Sequence, residues 1–416
     1  MKVLLLGSGG REHALAWKLV QSPLLTELHA APGNPGIAAL GHCHPVRADD
    51  PEAVLGLAGS LGVALVVIGP EVPLVAGLAD ALRRNGIPVF GPGRAAAAIE
   101  GSKQFAKEVM QAAGVPTAQV LPQPAAPCVL KADGLAAGKG VVVCLTQEEV
   151  TAGLAELAGL PGPLVVEELL EGPEVSLFAV CDGVTAVALP VAQDFKRAYD
   201  GDAGPNTGGM GSYAPVPGLD AVDVEELVDV TCRPVLAELA ARGAPFIGTL
   251  FAGLMLTGDG PRVLEYNCRF GDPETQSLLP LVDDDLLVVL AAAAQGDLSG
   301  VRLGPAARAA VTVVLAAGDY PAAGDQGSEI TGVADAEAAG ALVFHAGTAL
   351  RGGRLVTNGG RVLNVTAVGA DLVAARHSAY AAADKISWSG ARRRGDIALA
   401  ATAGGTLQTR PEAHLD

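Results

Sequence analysis

The sequence predicts a multidomain protein in which an α/β domain is followed by α+β domains. Three observations support this fold class. The chain has 416 residues, more than a single hydrophobic core usually organises, so two to four domains are expected. Short apolar runs alternate with helical segments over residues 1–100, which is typical of a parallel sheet with crossover helices. Later strand-like runs instead cluster around glycine-rich turns.

The first domain, residues 1–100, is predicted to be a Rossmann-like parallel sheet. Each strand-like run ends in a loop rich in glycine or proline. Because ligands of open α/β sheets bind outside the carboxyl ends of the strands, we expect these loops to form one binding rim. The predicted strands are 3–6, 28–31, 64–68 and 88–90, and the loops that follow start at Gly7, Pro32, Gly69 and Gly91.

The second domain, residues 101–309, is predicted to begin with a helix. Ser102 can cap this helix, and Gly114 with Pro116 can stop it near residue 113. Short strands around glycine-rich turns then indicate a smaller mobile subdomain at about residues 118–190. The other predicted elements are helices at about 147–158 and 221–241 and strands at 248–256 and 262–267.

The third domain, residues 310–416, is predicted to be a small α+β domain. Asn358-Gly359 predicts a tight hairpin turn between its last two strands. Residues 398–416 show no clear period and are predicted to be frayed. The predicted elements are strands at 311–316, 342–345, 354–356 and 361–366 and a helix near 372–385.

Charge and composition exclude several classes of partner. A net charge of -17 argues against nucleic acid and anionic membranes, because both need a broad basic surface. The longest purely apolar stretch, 286–294, is far shorter than the ~20 residues that span a bilayer. The chain enters a strand without a signal-peptide pattern, and its six cysteines lack C-x-x-C spacing. We therefore expect a cytoplasmic protein.

One histidine-rich segment invites a metal interpretation. His42-Cys43-His44 could supply zinc ligands, but no second cluster completes a tetrahedral site. We therefore favour a structural role for these residues.

The most informative segment is residues 265–276. Glu265 and Asn267 lie two apart on a predicted strand, so their side chains share a face. Mg²⁺ prefers a few protein oxygens and takes its remaining ligands from water and phosphates, which this pair would allow. A lone pair of this kind is often a surface accident. The unusually polar octapeptide 269–276, Arg-Phe-Gly-Asp-Pro-Glu-Thr-Gln, favours the functional interpretation.

Two glycine-rich loops are candidate anion sites. Residues 7–12 follow the first strand, but a third glycine is missing and Glu12 would oppose a pyrophosphate, which argues against a dinucleotide site. Arg11 and Glu12 would better suit a substrate with both an amine and a phosphate, although a simple helix start is the alternative. The loop 131–141 is not a Walker A motif, yet its glycines and lysines suit phosphate, provided that they converge with Lys103.

These features together resemble the ATP-grasp superfamily, in which ATP lies between two subdomains. The resemblance rests on the 131–141 loop, the acidic strand 165–174 and the strand that holds Glu265 and Asn267. It implies that the end of the acidic strand contacts adenine. It also implies that an acid seven positions after Glu167, which is Glu174 here, holds the ribose.

Six further motifs occur in a fixed order along the chain, at 9–14, 33–36, 69–71, 205–211, 269–276 and 357–361. On these motifs the chain resembles, within that superfamily, the phosphoribosylamine-glycine ligase family over nearly its whole length. The family commonly has His where this chain has Phe195, which leaves open the role of that one side chain.

The resemblance implies a complete reaction. ATP, glycine and 5-phosphoribosylamine would give ADP, phosphate and glycinamide ribonucleotide through a glycyl phosphate, in purine biosynthesis. Mg²⁺ or Mn²⁺ would be the cofactor, the partners would be small molecules, and we expect a monomer. Arg269 would bind the glycine carboxylate, Asp272 and Glu71 would bind amines, and Arg361 would face the phosphoribosyl group.

The implied site residues fall into four groups. Metal ligation is expected from Glu265 and Asn267. Catalytic roles are expected for Arg269, Asp272 and Lys139. Nucleotide contacts are expected from Lys103, Lys131, Gly138, Lys139, Glu167, Glu168, Leu170 and Glu174. Substrate contacts are expected from Gly10, Arg11, Glu12, Glu71, Arg269, Asp272 and Arg361.

Three rival functions remain open at this point. Another carboxylate-amine ligase of the superfamily would keep Glu265, Asn267 and the lysines but accept a different acid. A nicotinamide-dependent dehydrogenase is opposed by Glu12 and by the unused second domain. A noncatalytic nucleotide sensor is the third alternative.

Overall fold

The computed structural model describes residues 1–135, 140–160, 162–304 and 307–404. The predicted frayed tail lies outside the described residues from position 405 onward. Within these ranges, every helix is too short or too polar to span a bilayer.

The first region forms the parallel sheet that the sequence predicts. Its five strands run in the order β3-β2-β1-β4-β5, and every neighbouring pair is parallel. The short strand β3 was not predicted. The strands are β1 (Lys2–Gly7), β2 (Glu27–Pro32), β3 (His42–Cys43), β4 (Leu65–Ile68) and β5 (Val89–Phe90), and the helices are α1 (Gly10–Leu19), α2 (Pro35–Ala38), α3 (Pro51–Leu61), α4 (Glu71–Val75), α5 (Leu78–Arg84) and α6 (Arg94–Gly101).

The second region contains two larger antiparallel sheets and the two-stranded antiparallel sheet β12-β13. Of the two larger sheets, one has the order β7-β6-β8, and the other has the order β10-β9-β15-β16. The strands are β6 (Cys128–Ala132), β7 (Val141–Cys144), β8 (Leu164–Glu168), β9 (Glu174–Asp182), β10 (Ala186–Ala188), β11 (Gln193–Asp194), β12 (Arg197–Tyr199), β13 (Ala203–Asn206), β14 (Gly211–Ala214), β15 (Ile247–Thr257) and β16 (Gly260–Asn267). The helices are α7 (Lys103–Ala113), α8 (Gln147–Leu157), α9 (Ala221–Thr231), α10 (Arg233–Ala241), α11 (Glu274–Leu278) and α12 (Leu286–Gln295), with short 3-10 helices at Asp200–Asp202 and Leu279–Leu281.

The third region shares a sheet with the second. The order β11-β14-β17-β22-β19 joins two strands of the second region to three of the third. A separate three-stranded sheet has the order β18-β21-β20. The elements are β17 (Ala309–Ala316), β18 (Asp325–Glu329), β19 (Leu342–His345), β20 (Thr348–Arg351), β21 (Arg354–Gly359), β22 (Arg361–Gly369), α13 (Val333–Ala338), α14 (Leu372–Ala383) and α15 (Leu399–Thr402).

The predicted hairpin at Asn358-Gly359 is wrong. Both residues belong to β21, which pairs with β18 and β20, whereas β22 lies in the other sheet. The tight turn instead joins β20 to β21 at Gly352 and Gly353, which both have positive φ. Two consecutive positive φ angles are what a two-residue type I′ turn requires.

The single helix predicted at 221–241 is also wrong, because the segment forms two helices. Helix α9 ends at Thr231, and α10 begins at Arg233 with Pro234 in its first turn. Proline lacks the N–H that would continue the hydrogen bonding of α9, but it is well tolerated at a helix start.

Truncation of a core residue tests how far the first region depends on its sheet. Leu4 in β1 is fully buried, so Leu4→Ala should lower the free energy of unfolding by about 2–5 kcal/mol. Urea unfolding followed by circular dichroism measures this change. Leu24→Ala is the matched control, since Leu24 is 48% exposed. Equal effects of the two substitutions would contradict the proposed packing.

Candidate active site

A cleft of about 480 Å³ lies at the carboxyl ends of β1 and β2. The predicted binding rim therefore borders an actual depression, which we call the rim cleft. All three regions contribute to it, because Asp272 follows β16 and Arg361 begins β22. Its lining residues are Ser8, Gly9, Pro32, Gly33, Asn34, Asp272, Tyr320, Ala346, Gly347, Thr348, Asn358, Gly360 and Arg361.

Asp272 is the carboxylate at the centre of the rim cleft. One carboxylate oxygen accepts from Gln276 Nε2 at 2.8 Å, and the other accepts from the backbone N–H of Arg11 at 3.2 Å. Arg361 Nη1 is 3.5 Å from the first oxygen. Burial alone would raise the pKa of Asp272, but Arg361 and Arg11 hold it below its ordinary value. Asp272 therefore remains ionised.

Arg361 ties together segments that are distant in sequence. Its Nη1 donates to the carbonyl oxygens of Gly208 and of Asp272, the latter at 2.7 Å. The Tyr320 hydroxyl accepts from the N–H of Gly208 at 2.9 Å. The loop at residues 207–209 is thus attached to the third region beside the rim cleft.

Glu12 packs against the first loop, and both of its carboxylate oxygens accept hydrogen bonds from the protein. One of its oxygens accepts from Arg11 Nε at 2.6 Å, and the other accepts from the N–H of Gly9 at 2.6 Å. A Cβ atom at Gly69 would come within 2.2 Å of the carboxylate. Gly10 is equally enclosed, since a Cβ there would be 2.3 Å from Asn364 Nδ2. The close packing around Glu12 and Gly10 therefore holds the first loop, residues 7–12, in its conformation.

Arg269 is clamped between two carboxylates of the first region. Its Nε is 3.3 Å from Glu71, and its Nη2 is 3.1 Å from Glu100. Nη2 also donates to Asn267 Oδ1 at 3.2 Å. Burial would lower the pKa of Arg269, but Glu100 and Glu71 raise it. In return, Arg269 and Arg11 hold the pKa of Glu71 below its ordinary value despite burial.

Three lysines lie close to one another near the start of the second region. Two of them, Lys103 and Lys131, belong to the predicted set, whereas its third member, Lys139, lies outside the described residues. We call Lys103, Lys107 and Lys131 the lysine cluster. Glu167 is buried between two of them, 2.7 Å from Lys131 and 2.9 Å from Lys107. Burial lowers the pKa of Lys103, and the carboxylate of Glu265 opposes that shift. The cluster therefore concentrates positive charge next to the strand that carries Glu265.

A second group of charges, around Lys196, also interacts electrostatically with Glu265. Lys196 forms an ion pair with Glu174. Burial would lower the pKa of Lys196, yet Glu174, Asp194 and Glu265 together raise it above its ordinary value. Burial raises the pKa of Asp194 to about 7, with Lys196 opposing the rise.

The remaining nucleotide candidates occupy less enclosed positions or fall outside the described residues. Glu168 accepts from the backbone N–H of Gln119 at 2.8 Å, and Leu170 is half-buried just past the end of β8. Gly138 and Lys139 lie outside the described residues, so their predicted roles stay predictions.

The residues present fit a hard divalent cation only in part. Glu265 and Asn267 offer two oxygens at the end of β16. Among the described residues, no group of three or more His, Cys, Asp or Glu side chains is suited to a metal ion. Two protein oxygens suffice for Mg²⁺ when phosphates and water complete its shell. The donor set therefore matches a metal that binds together with a nucleotide.

Family models match almost the entire chain. Residues 1–100, 101–275 and 310–400 match the N domain, the ATP-grasp (A) domain and the C domain of phosphoribosylglycinamide synthetase. The chain belongs to the phosphoribosylglycinamide synthetase family. The family recognition made from sequence motifs is thereby confirmed.

Relatives of this family are similar over their full length. A phosphoribosylamine-glycine ligase of Mesorhizobium japonicum is 50% identical over 97% of this chain and 99% of its own. The Streptomyces coelicolor protein of the same name is 52% identical over 96% and 99%. The crystal structure of the Thermotoga maritima phosphoribosylamine-glycine ligase superposes with a TM-score of 0.82 at 37% identity, covering 95% of this chain and 100% of that one.

A more distant structure shows only the fold. The biotin carboxylase domain of Hydrogenobacter thermophilus 2-oxoglutarate carboxylase has a TM-score of 0.68 at 17% identity, over 94% of this chain and 91% of that one. The architecture of parallel-sheet, ATP-grasp and C-terminal regions agrees with the predicted fold class.

The sequence interpretation did not include three charged residues that form ion pairs with predicted site residues. Lys107 had a detectable signal, because it lies one helical turn after Lys103 and shares its face. Lys196 is two residues after Asp194 and follows a short strand. Glu100 had no local signal, since it lies in an alanine-rich helix and meets Arg269 only through the fold.

The raised pKa of Asp194 predicts a pH-dependent stability. The folded protein keeps this proton to a higher pH than the unfolded chain, so the stabilisation is complete below pH about 3.8 and is lost towards about 7. Asp194→Asn carries no such proton. Wild-type unfolding temperature should therefore fall relative to that of the variant across this window, as measured by scanning calorimetry. Asp259→Asn, at an exposed turn, is the control, and parallel curves for wild type and Asp194→Asn would refute the prediction.

Proposed function

We propose that this chain joins glycine to 5-phosphoribosylamine at the expense of ATP, as its family does. The products are glycinamide ribonucleotide, ADP and phosphate, in purine biosynthesis. The observation that carries the proposal is the match of all three family domains to one chain. The geometry supports it, because Lys131 of the lysine cluster donates to the carbonyl oxygen of Leu264 in the strand that ends in Glu265 and Asn267, and Asp272 of the polar rim cleft follows the same strand.

The nucleotide half of the site would be formed by the second region. Lys103 and Lys131, with Lys139, would neutralise the ATP phosphates, and Glu167 would hold Lys131 in place. Leu170 and Glu168 would contact adenine at the end of β8. Glu174, seven positions after Glu167, would bind the ribose, and it forms an ion pair with Lys196.

Glu265 and Asn267 would hold Mg²⁺ or Mn²⁺. The ion, when bound, supplies positive charge to the phosphates of ATP. Arg269 donates to Asn267 Oδ1, so it helps to orient that ligand. Lys196 and Lys103 both interact electrostatically with Glu265 and would add positive charge at the transferring phosphoryl group.

The substrate half of the site would be the rim cleft and its neighbours. Arg269 would bind the glycine carboxylate, and Glu71 would bind the glycine ammonium group. Asp272, ionised beside Arg361, would accept from the amine of 5-phosphoribosylamine. Arg361 and the first loop, including Gly10 and Arg11, would face the phosphoribosyl group, with Glu12 supporting that loop from beneath.

The chemistry needs positioning more than it needs a protein nucleophile. The glycine carboxylate attacks the γ-phosphate of ATP, which releases ADP and forms glycyl phosphate. The amine nitrogen of 5-phosphoribosylamine then attacks the acyl carbon, and phosphate leaves. Both steps gain mainly from alignment and from charge placed in advance around the phosphates.

The net charge and the cysteines support the proposed partners and the proposed cellular compartment of the enzyme. Small molecules are the proposed partners, and the net charge of -17 opposes nucleic acid. All six cysteines are unpaired in the structure, which agrees with a reducing compartment such as the cytoplasm. The monomeric state stays a prediction.

Substrate dependence of ADP release tests the proposed function. ADP should be released rapidly only when glycine and 5-phosphoribosylamine are both present, because the acyl phosphate is consumed by the amine. Glycine alone and 5-phosphoribosylamine alone are the two controls, measured with a coupled ADP assay. Release that does not require glycine would refute the function and would favour another acid or a nucleotide sensor.

Substitution of Glu265 tests the metal site. Glu265→Ala should lower ATP turnover by about 10²–10³-fold, because charge stabilisation at the phosphates is lost. The circular dichroism spectrum should be unchanged. Asp259→Ala, an exposed carboxylate in the turn before the same strand, should retain full turnover. Turnover of Glu265→Ala at the wild-type rate would exclude the metal role.

A further inference from the structure

Arg394 is a fully buried charged residue in the third region, and the proposed reaction gives it no role. Its Nε and Nη2 form a two-pronged ion pair with Asp396, with both distances 2.7 Å. Nη1 donates to Asp202 at 2.8 Å and to the carbonyl oxygen of Arg197 at 3.0 Å. The guanidinium plane also lies over the Phe195 ring, 5.0 Å from its centroid.

The contacts of Arg394 belong to a longer attachment. We call residues 392–397 the C-terminal strap. Arg392 donates to the carbonyl oxygens of Ala198 and Tyr320. The N–H of Gly201 donates to Asp396 at 2.8 Å. The C-terminal strap is therefore attached to the second region through residues 195–202.

Residues 195–202 also include Lys196. The carbonyl oxygen of Lys196 accepts from the N–H and the hydroxyl of Thr207, at 2.7 and 2.8 Å. Phe195 and Arg197, its neighbours on either side, both contact Arg394. The ammonium group of Lys196 reaches Glu174 and the neighbourhood of Glu265. Lys196 is thus fixed on one side by Thr207 and on the other by the strap.

We propose that Arg394 is a positioning residue that holds the Lys196 backbone so that the Lys196 ammonium group stays at the transferring phosphoryl group. This proposal rests on the proposed function and identifies what aligns one of its charges. It makes the third region a contributor to phosphoryl transfer as well as to the rim cleft.

Arginine is chemically suited to this position. A planar guanidinium can meet a carboxylate with two hydrogen bonds, donate to a carbonyl oxygen and lie flat on an aromatic ring at once. Lysine keeps the positive charge, but it lacks the paired N–H donors and the planar group of a guanidinium. Arg394→Lys should therefore keep both aspartates compensated while it loosens residues 195–197.

The adjacent residue provides a matched control. Arg393 is partly exposed, pairs with Asp384 and makes its cation–π contact with Tyr380. It touches none of the residues 195–202 in the contacts of the described chain. Arg393→Lys therefore repeats the same chemical change one position away from the residue that contacts Phe195 and Arg197.

A double-mutant cycle tests the proposal. Single-turnover ADP release, with enzyme in excess, would be measured for wild type, Arg394→Lys, Lys196→Met, the double variant and Arg393→Lys, each with both substrates. Arg394→Lys should slow release about 10- to 100-fold, the scale of a misplaced catalytic group. In the Lys196→Met background the same change should cost less than about threefold, because the group being positioned is gone. Arg393→Lys should behave as wild type.

Several outcomes would overturn the proposal. Equal slowing by Arg394→Lys in both backgrounds would show that Arg394 does not act through Lys196. A lowered unfolding temperature with unchanged release would assign it a structural role alone. If Arg394→Lys does not fold, Phe195→Leu removes the ring beneath the guanidinium and is run through the same cycle with the same criterion. Wild-type release that ignores glycine would refute the underlying function before any variant is compared.

Discussion

Compensation of buried charge is the constraint on which the rest of this structure depends. A buried ion is tolerated only with a well-aligned partner, and removal of one partner is costly. Glu167 lies between Lys107 and Lys131, and Arg269 lies between two glutamates of the first region. Each arrangement leaves the site charged but locally balanced, so its side chains are held in place before any substrate arrives.

These charge pairs also explain why three regions act as one body. Arg269 and Glu100 join the second region to the first, and Arg361 with Asp272 joins the third to the second. The shared sheet reinforces the second connection, since β14 pairs directly with β17. The proposed active site therefore draws its residues from all three regions and depends on the contacts between them.

The order of elements in the fold could be predicted because hydrophobic periodicity, and the glycine and proline residues that end helices and strands, are local properties of the sequence. Both errors of that prediction arose where local signals compete: Pro234 starts a second helix, and Asn358-Gly359 passes from one sheet towards another. Within the site, the sequence indicates which residue types can bind phosphate, metal or amine. It does not indicate distance. Glu100 and Lys196 act through neighbours that are remote in the chain, so only the fold reveals them.

The Glu12 side chain packs closely against glycines in two separate loops. A Cβ atom at Gly7, Gly9 or Gly69 would come within 2.6, 2.8 or 2.2 Å of the Glu12 side chain. One carboxylate thus occupies the space that three side chains would otherwise fill. Over evolutionary descent positions 9 and 69 should change together with position 12, because a shorter residue at 12 would open room at both, whereas a larger residue at 69 is incompatible with glutamate at 12. Gly7 should stay glycine in either case, since its φ of 121° is one that other residues rarely adopt.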